Sequence, residues 1–181
     1  MTRTLKALAL SCFALALVGC ESATDKVDAG GVILSVTDFD GLPIVVSATG
    51  NCCLVSIETM TIESVPKNPT GPTGPLMNVE MQSYEVIYTR EDTGTRVPPK
   101  LVQSIFGTVP VGGTTDLDNY PIMREDQFNN QPFRDLRDFG VDTETGSTVV
   151  RMRVSIRFFG RTLSGDPVDS TPASFSIEVV P

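Results

Sequence analysis

Two stretches near the C-terminus alternate between apolar and polar residues. In the first, residues 149–159, every second position is apolar: Val150, Met152, Val154, Ile156 and Phe158. In the second, the apolar positions are Ala173, Phe175, Ile177 and Val179. Because successive side chains of a β-strand point to opposite faces, each pattern predicts a strand with one buried face. The turn-rich connection 160–168 predicts that the two strands form a hairpin.

Six other runs, rich in β-branched and other apolar residues, predict further strands upstream. They cover residues 32–37, 42–48, 53–65, 77–89, 101–109 and 114–123, with a break at 38–41 between the first two. Within 77–89 the apolar positions change phase, from Val79 and Met81 to Tyr84, Val86 and Tyr88. A change of phase inside a strand indicates an extra residue, so a β-bulge is predicted near Gln82 and Ser83.

The segment 124–142 shows no strand period and is predicted to be irregular. Pro132 suits the first position of a helix, so a short helical turn carrying Phe133, Leu136 and Phe139 is expected there. Seven or eight strands joined by Gly- and Pro-rich turns predict an all-β domain. The expected architecture is a two-sheet antiparallel β-sandwich.

The spacing of these strands resembles that of immunoglobulin-like and fibronectin-III-like domains. The run Ile156-Arg-Phe-Phe-Gly-Arg-Thr-Leu-Ser-Gly-Asp-Pro167 is similar to the last hairpin of many such domains in secreted bacterial proteins. The resemblance implies an immunoglobulin-like sandwich. It implies no particular activity, because that fold carries many unrelated functions.

The N-terminus has the pattern of an export signal. Arg3 and Lys6 precede an apolar run at residues 7–18, which is shorter than the roughly 20 residues that span a bilayer. The next residues, Leu17-Val18-Gly19-Cys20, resemble the lipobox of bacterial lipoproteins. This resemblance implies that residues 1–19 are a signal peptide and that Cys20 carries the lipid. Two or three acyl chains would hold the protein at a membrane.

Residues 20–31 are small and polar and predict a flexible tether. They leave residues 32–181 as the folded β-sandwich domain. Glu21 follows the cysteine, in place of the aspartate associated with inner-membrane retention in enteric bacteria. The outer membrane is therefore the expected location.

Charge and composition narrow the function classes. Without Arg3 and Lys6, 12 basic and 22 acidic residues remain, a net charge of −10. Such a chain is repelled by nucleic acid, so no DNA or RNA partner is expected. The chain contains no histidine, which is the commonest general base and a frequent metal ligand. No sequence motif assigns its Asp and Glu residues to a catalytic site. The sequence therefore predicts a protein without catalytic activity.

Two pairs of aspartates offer the oxygen ligands that calcium uses: Asp38 with Asp40, and Asp116 with Asp118. Neither pair completes an EF-hand loop, because the twelfth position counted from Asp38 is Thr49 and not a glutamate. A calcium site and ordinary turn chemistry both explain these residues. No other cofactor is expected.

Several arginines share the polar face of the predicted strand 149–159 or follow it closely: Arg151, Arg153, Arg157 and Arg161. One interpretation is a basic stripe that binds an anion. The preferred interpretation is pairing with carboxylates of neighbouring strands, such as Glu80 and Glu85, since opposite charges on adjacent strands attract.

Cys52 and Cys53 are adjacent, which makes a disulfide between them unfavourable. Their Cα atoms lie about 3.8 Å apart across a trans peptide, below the usual range of roughly 4.4–6.8 Å for bridged cysteines. A redox or soft-metal site and an intermolecular bridge through Cys52 are alternatives. The preferred interpretation is that Cys53 packs inward with Val55 and Ile57 as a small apolar residue.

Together these patterns predict a lipid-anchored envelope protein that acts by binding or as a structural module. Its partner would be another envelope protein, a surface polymer or a neighbouring cell. The alternative is an accessory subunit of an envelope complex for export, efflux or electron transfer. An obligate subunit should expose a large contiguous apolar patch, whereas a stand-alone module should not.

Overall fold

The computed structural model describes residues 31–50 and 54–181. These form nine strands: β1 Val32–Asp40, β2 Val45–Ser47, β3 Leu54–Pro66, β4 Val79–Arg90, β5 Leu101–Val109, β6 Gly113–Arg124, β7 Val150–Thr162, β8 Pro167–Asp169 and β9 Ala173–Val180. Two short helices, α1 Glu125–Phe128 and α2 Phe133–Phe139, lie between β6 and β7, and a 3-10 turn, Pro75–Met77, precedes β4.

The strands form two sheets that pack against each other. One sheet has the order β1-β3-β6, and the other has the order β2-β9-β7-β4-β5, with β8 paired to β7. Neighbouring strands are antiparallel except for β2 and β9, which run parallel. The buried faces of both sheets are lined by Val, Ile, Leu and Met, and these side chains form one core. The prediction of an all-β domain with two sheets is confirmed.

The two strands and the hairpin predicted near the C-terminus are confirmed. β7 and β9 are antiparallel neighbours, with Val150 opposite Val179 and Ile156 opposite Ala173. The register of β4 shifts between Met81 and Ser83 against both of its neighbours, which places the bulge where the change of phase indicated. Gly160 of β7 faces this point, where an added Cβ atom would lie 2.5 Å from the Glu80 carbonyl oxygen.

The break predicted at residues 38–41 is wrong, because β1 continues to Asp40. A register shift between Val36 and Asp38 changes the phase of the strand without ending it. After the shift Asp38 and Asp40 face solvent, while the Phe39 ring packs edge-on against Phe175 at 5.4 Å. A bulge can therefore imitate a turn in the sequence pattern.

The predicted helical turn is α2, but only two of its three apolar residues are buried. Phe133 and Leu136 lie in the core, whereas Phe139 is 67% exposed. Because helical residues turn by about 100° each, a third residue at the same spacing drifts away from the buried face. The preceding helix α1, which the sequence did not predict, buries Phe128 against Phe133 with ring centroids 5.9 Å apart.

Two tyrosines of β4 join the sheets at one end of the fold. The Tyr84 hydroxyl donates to the Pro121 carbonyl oxygen at 2.8 Å, and the Tyr88 hydroxyl donates to that of Ile122. Burial raises the pKa of Tyr84 to about 12, and burial also raises the pKa of Tyr88. Both hydroxyls therefore remain protonated donors at physiological pH.

The two ends of the fold carry different loops. The end at which the described residues begin, near Gly31, we call the entry end. There the Lys67 amide donates to the Gly31 carbonyl oxygen, and the Leu163 amide donates to the Asn78 carbonyl oxygen. At the opposite end, which we call the loop end, lie the β4–β5 loop (residues 91–100) and the β6–β7 segment (residues 125–149). At about 3.3 Å per residue, the 13 residues of β3 separate the two ends by about 40 Å.

Candidate functional site

The loop end contains the main polar cluster among the described residues. The β4–β5 loop and the β6–β7 segment are tied together by Gln127 of α1. Its side-chain oxygen accepts from the Arg124 amide at 2.8 Å, and its side-chain nitrogen donates to the Pro99 carbonyl at 3.2 Å. Gln127 is buried, so the bond from Arg124 fixes the start of α1 and the bond to Pro99 holds the helix against the loop.

Arg90, at the end of β4, makes a buried ion network with two aspartates. Its Nε lies 2.6 Å from Asp92 Oδ1, and its Nη2 lies 2.9 Å from Asp142 Oδ2. The side chains of Arg90 and Asp142 are 3% and 0% exposed. Since an unpaired buried charge is costly, this network fixes the β6–β7 segment relative to the β4–β5 loop.

Both aspartates also bind backbone amides two residues further along the chain. Asp92 Oδ1 accepts from the Gly94 amide at 3.0 Å, and Asp142 Oδ1 accepts from the Glu144 amide at 3.2 Å. This is the Asx-turn pattern, in which a side chain takes the place of a backbone acceptor. The two turns therefore present Thr95 and Glu144 to each other.

Glu144 and Asp135 continue the cluster toward the surface. Glu144 accepts from the Thr95 amide and hydroxyl at 3.0 and 2.5 Å, and from the Arg96 amide at 3.0 Å. The buried Asp135 accepts from the Thr143 hydroxyl and from the Gln131 side-chain nitrogen at 3.1 Å. Both carboxylates are thus held by donors on the loops that surround them.

The pKa values of these carboxyl groups lie below their ordinary range. Burial alone would raise the pKa of Asp142, but the hydrogen bonds from Arg90, Thr145 and the Glu144 amide outweigh it and lower the pKa. At Asp92 and Asp135, burial likewise acts to raise the pKa, and hydrogen bonds to the carboxylate outweigh it and lower the pKa. The pKa of Glu144 is lowered first by the Thr95 hydroxyl and then by the Arg96 amide. The cluster is therefore ionised at neutral pH.

We expect acidification to destabilise the loop end before the rest of the fold. The folded-state pKa values of Asp92, Asp135 and Asp142 are lower than the value of about 3.9 in an unfolded chain. The stabilisation from these groups is therefore complete above that value and is lost as the pH falls through the folded-state pKa values.

Amide exchange at residues 91–100 and 125–149, followed from about pH 5 to about pH 2, would measure this loss. The exchange rates must be corrected for the intrinsic effect of pH. Protection that decreases equally in the loop end and in β7 would contradict the expectation.

A shallow cleft of about 420 Å³ opens on the surface of this cluster. A short set of residues lines it: Arg96, Val97, Asn130, Gln131 and Arg134. Arg96 lies in the β4–β5 loop and Arg134 lies in α2. Their side chains, 47% and 48% exposed, flank Asp135, each with a nitrogen 3.9 Å from a carboxylate oxygen. That distance is too long for a hydrogen bond, so Asp135 attracts both guanidinium groups without using their donors.

The arginines proposed from the sequence lie on the outer face of the larger sheet, away from this cleft. Three of them pair with carboxylates, as preferred, but the expected partners Glu80 and Glu85 are wrong. Arg151 binds Glu178, Arg153 binds Glu91, and Arg157 binds Asp169. Glu85 lies opposite Arg157 in register but pairs with Lys100 at 3.4 Å, because side-chain reach and not register selects the partner.

The four aspartates considered for calcium share the outer face of the smaller sheet. Thr61 of β3 is paired with Asp38 and Asp116, and Thr59 is paired with Asp40 and Asp118. The threonine hydroxyls donate to Asp116 and Asp118 at 2.8 and 2.9 Å. Among residues 31–50 and 54–181, no group of three or more acidic, cysteine or histidine side chains is placed to hold a metal. A calcium site at these aspartates stays a prediction.

The predicted signal peptide, the lipid-bearing Cys20, most of the tether, and the pair Cys52 and Cys53 lie outside the described residues. The predictions for them are unchanged. In the part of the chain that the structure covers, no helix has the length and apolar character needed to cross a bilayer.

The sequence analysis did not identify the residues of the loop end. One signal could have indicated them, namely the repeated pattern Asp-Thr-x-Thr at residues 92–95 and 142–145. Both copies lie in Gly-containing segments between strands, where an aspartate commonly forms an Asx-turn. The pattern indicates two similar turns, but not that one arginine joins them.

Comparison with known proteins gives no relative for this chain. No protein-family model matches it. No curated protein and no solved structure matches it either.

Proposed function

We propose that this protein is a lipid-anchored component of a bacterial cell envelope that binds a partner through the loop end of an immunoglobulin-like sandwich. The strand order supports the proposed fold. A sheet β1-β3-β6 faces a sheet β2-β9-β7-β4-β5, and the chain crosses between sheets after β1, β2, β3, β5 and β6. Such crossings between two sheets are typical of immunoglobulin-like Greek-key sandwiches.

The observation that carries the proposal is the position of the loop end relative to the chain's entry. Gly31 lies at the entry end, where its carbonyl accepts from the Lys67 amide at 3.0 Å. The cleft lies at the other end, about 40 Å away by the length of β3. If Cys20 carries the lipid, the tether attaches the domain to the membrane at the entry end, and the cleft lies at the end far from this attachment.

The charge states at the loop end fit a binding role better than general-acid catalysis. Among the described residues, every carboxyl group whose pKa departs clearly from its ordinary value has a lowered pKa: Glu91, Asp92, Asp135, Asp142 and Glu144. A general acid that works at neutral pH needs a raised pKa. The ionised, hydrogen-bonded carboxylates of this cluster act instead as fixed supports for the loops.

A second candidate function, an accessory subunit of an envelope complex, is favoured by strand β5. This strand lies at an edge of the larger sheet and contains no charged residue. Phe106 is 89% exposed on it, and Val102 is 55% exposed. Edge strands are normally protected by charges or proline, and β5 has neither within its bounds.

Site-specific photo-cross-linking in the native host distinguishes these functions. A photoreactive phenylalanine analogue replaces Val97 in the cleft, Phe106 on β5, or Leu163 at the entry end; all three side chains are exposed. Each variant is made with Cys20 intact and with Cys20→Ala. We expect cross-links from position 97, none from position 163, and loss of both membrane association and the cross-links with Cys20→Ala.

Each alternative result has a definite meaning. Cross-links from position 106 alone would favour the accessory-subunit function and overturn the loop-end proposal. Cross-links from position 163 alone, or from none of the three positions, would overturn both. Membrane association that persists with Cys20→Ala would overturn the lipid anchor.

A further inference from the structure

We infer that the cleft at the loop end binds a sugar acid, through its carboxylate and its hydroxyl groups. This inference rests on the proposed function only in taking the loop end as the binding surface. The ligand chemistry follows from three properties of the cleft: its available donors, its charge and its available acceptors.

The donors come from the two arginines. In the described part of the chain, the Arg134 guanidinium donates no hydrogen bond, and its Nε lies 3.9 Å from Asp135. Arg96 donates a long hydrogen bond of 3.4 Å to the Thr143 hydroxyl and one nitrogen lies 3.9 Å from Asp135. Two planar, half-exposed guanidinium groups are thus held by a carboxylate behind them, with most of their N–H groups available. Such groups match the planar carboxylate geometry.

The charge of the site favours a single negative charge on the ligand. The lining residues carry two positive charges, from Arg96 and Arg134, and no negative charge. Asp135 lies directly behind the two arginines, and Glu144 lies beside the Arg96 backbone amide. These two carboxylates already offset much of the positive potential. A monoanion is therefore accommodated better than a phosphate dianion, which would be repelled by Asp135 at short range.

The acceptors come from two amide side chains. The Asn130 side-chain nitrogen donates to the Asp126 carbonyl at 2.7 Å, and that of Gln131 donates to Asp135. Their nitrogens are thus engaged, and their carbonyl oxygens are available to accept. A simple carboxylate has no donor to offer them, whereas a hydroxylated acid has several. Val97 is the one apolar side chain of the lining, so an apolar peptide side chain would find little contact.

Isothermal titration of the purified, detergent-solubilised protein tests the inference. The probes are D-glucuronate, its neutral counterpart D-glucose, inorganic phosphate, and an acetylated dipeptide with a free C-terminus. We expect millimolar binding of D-glucuronate and no detectable binding of D-glucose. Because each guanidinium supplies charge-assisted hydrogen bonds, Arg96→Gln and Arg134→Gln should each weaken the binding about tenfold or more.

The matched control is Arg161→Gln, which removes an exposed arginine from β7 near the entry end and should leave the binding unchanged. Arg134→Lys keeps the charge but not the planar fork and should bind more weakly than the wild type. If Arg134→Gln has an altered melting temperature, Arg134→Lys takes its place in the comparison.

No binding of D-glucuronate at tens of millimolar would overturn the inference. Equal binding of the dipeptide would replace the sugar acid with a peptide carboxylate, and tighter binding of phosphate would exclude a preference for a monoanion. If cross-linking from position 97 succeeds while D-glucuronate fails to bind, the ligand chemistry is wrong but the loop end remains the binding surface.

Discussion

Replacing Phe158 with alanine is expected to lower the free energy of unfolding by about 3–5 kcal/mol. Phe158 is fully buried in β7, which lies between β4 and β9. Its ring packs against Tyr84 with centroids 5.7 Å apart, and the rigid sheet on either side prevents the cavity from closing. The loss is a large fraction of the roughly 5–15 kcal/mol that stabilises a typical domain. Denaturant unfolding followed by far-ultraviolet circular dichroism measures it.

The matched control is Phe159→Ala, one residue further along the same strand. The Phe159 ring is on the opposite face of the sheet, is partly exposed, and has the Arg157 guanidinium 5.3 Å from its centroid. Its removal leaves no buried cavity, so we expect it to cost less than half as much as Phe158→Ala. Equal losses for the two variants would contradict the period-two assignment of β7.

Replacing Asp142 with alanine is expected to destabilise the protein by about 3 kcal/mol. The variant leaves the Arg90 guanidinium buried with Asp92 as its remaining ion-pair partner, and it removes the acceptor of the Thr145 hydroxyl. We place the effect at the lower end of the range for buried pairs, because the Asp92 side chain is partly exposed. The same unfolding measurement applies, and amide exchange should show the greatest loss of protection in residues 91–100 and 125–149.

The control for Asp142 is the exposed pair of Arg151 and Glu178, joined at 2.9 Å on the outer face of the larger sheet. Glu178→Ala removes an ion pair of similar geometry in solvent and should cost less than about 1 kcal/mol. If Asp142→Ala lowers the free energy of unfolding no more than Glu178→Ala does, the buried Arg90 network contributes no more to stability than an exposed ion pair.

Strand positions could be predicted from the sequence because their signal is local. The alternation in β7 and β9 follows from one buried face, and the bulge near Gln82 follows from two phases within one strand. The parallel pairing of β2 with β9 had no such signal. It joins Val45 to Glu178, and nothing in the three residues of β2 indicates a partner so far along the chain.

The candidate site was harder to predict for the same physical reason. Arg90 continues the apolar phase of Tyr84, Val86 and Tyr88, but an arginine at the end of a strand is ordinarily exposed. Its burial depends on Asp142, 52 positions along the chain, which no local period relates to it. The sequence indicated the ion pairs of the outer face, where Arg151 and its neighbours pair with carboxylates. It did not indicate the buried network of Arg90 with Asp92 and Asp142.

The place of β9 in the larger sheet has a consequence for biogenesis. Although β9 is the last of the nine described strands in chain order, it lies inside the sheet, between β2 and β7. Until residue 180 is available, β2 has no hydrogen-bonding neighbour, and β7 has an open edge beside Val150 to Ile156. This sheet therefore cannot be complete before β9 has been synthesised. If the predicted signal directs the chain through a translocation channel before it folds, this strand order delays folding and keeps the chain competent for export.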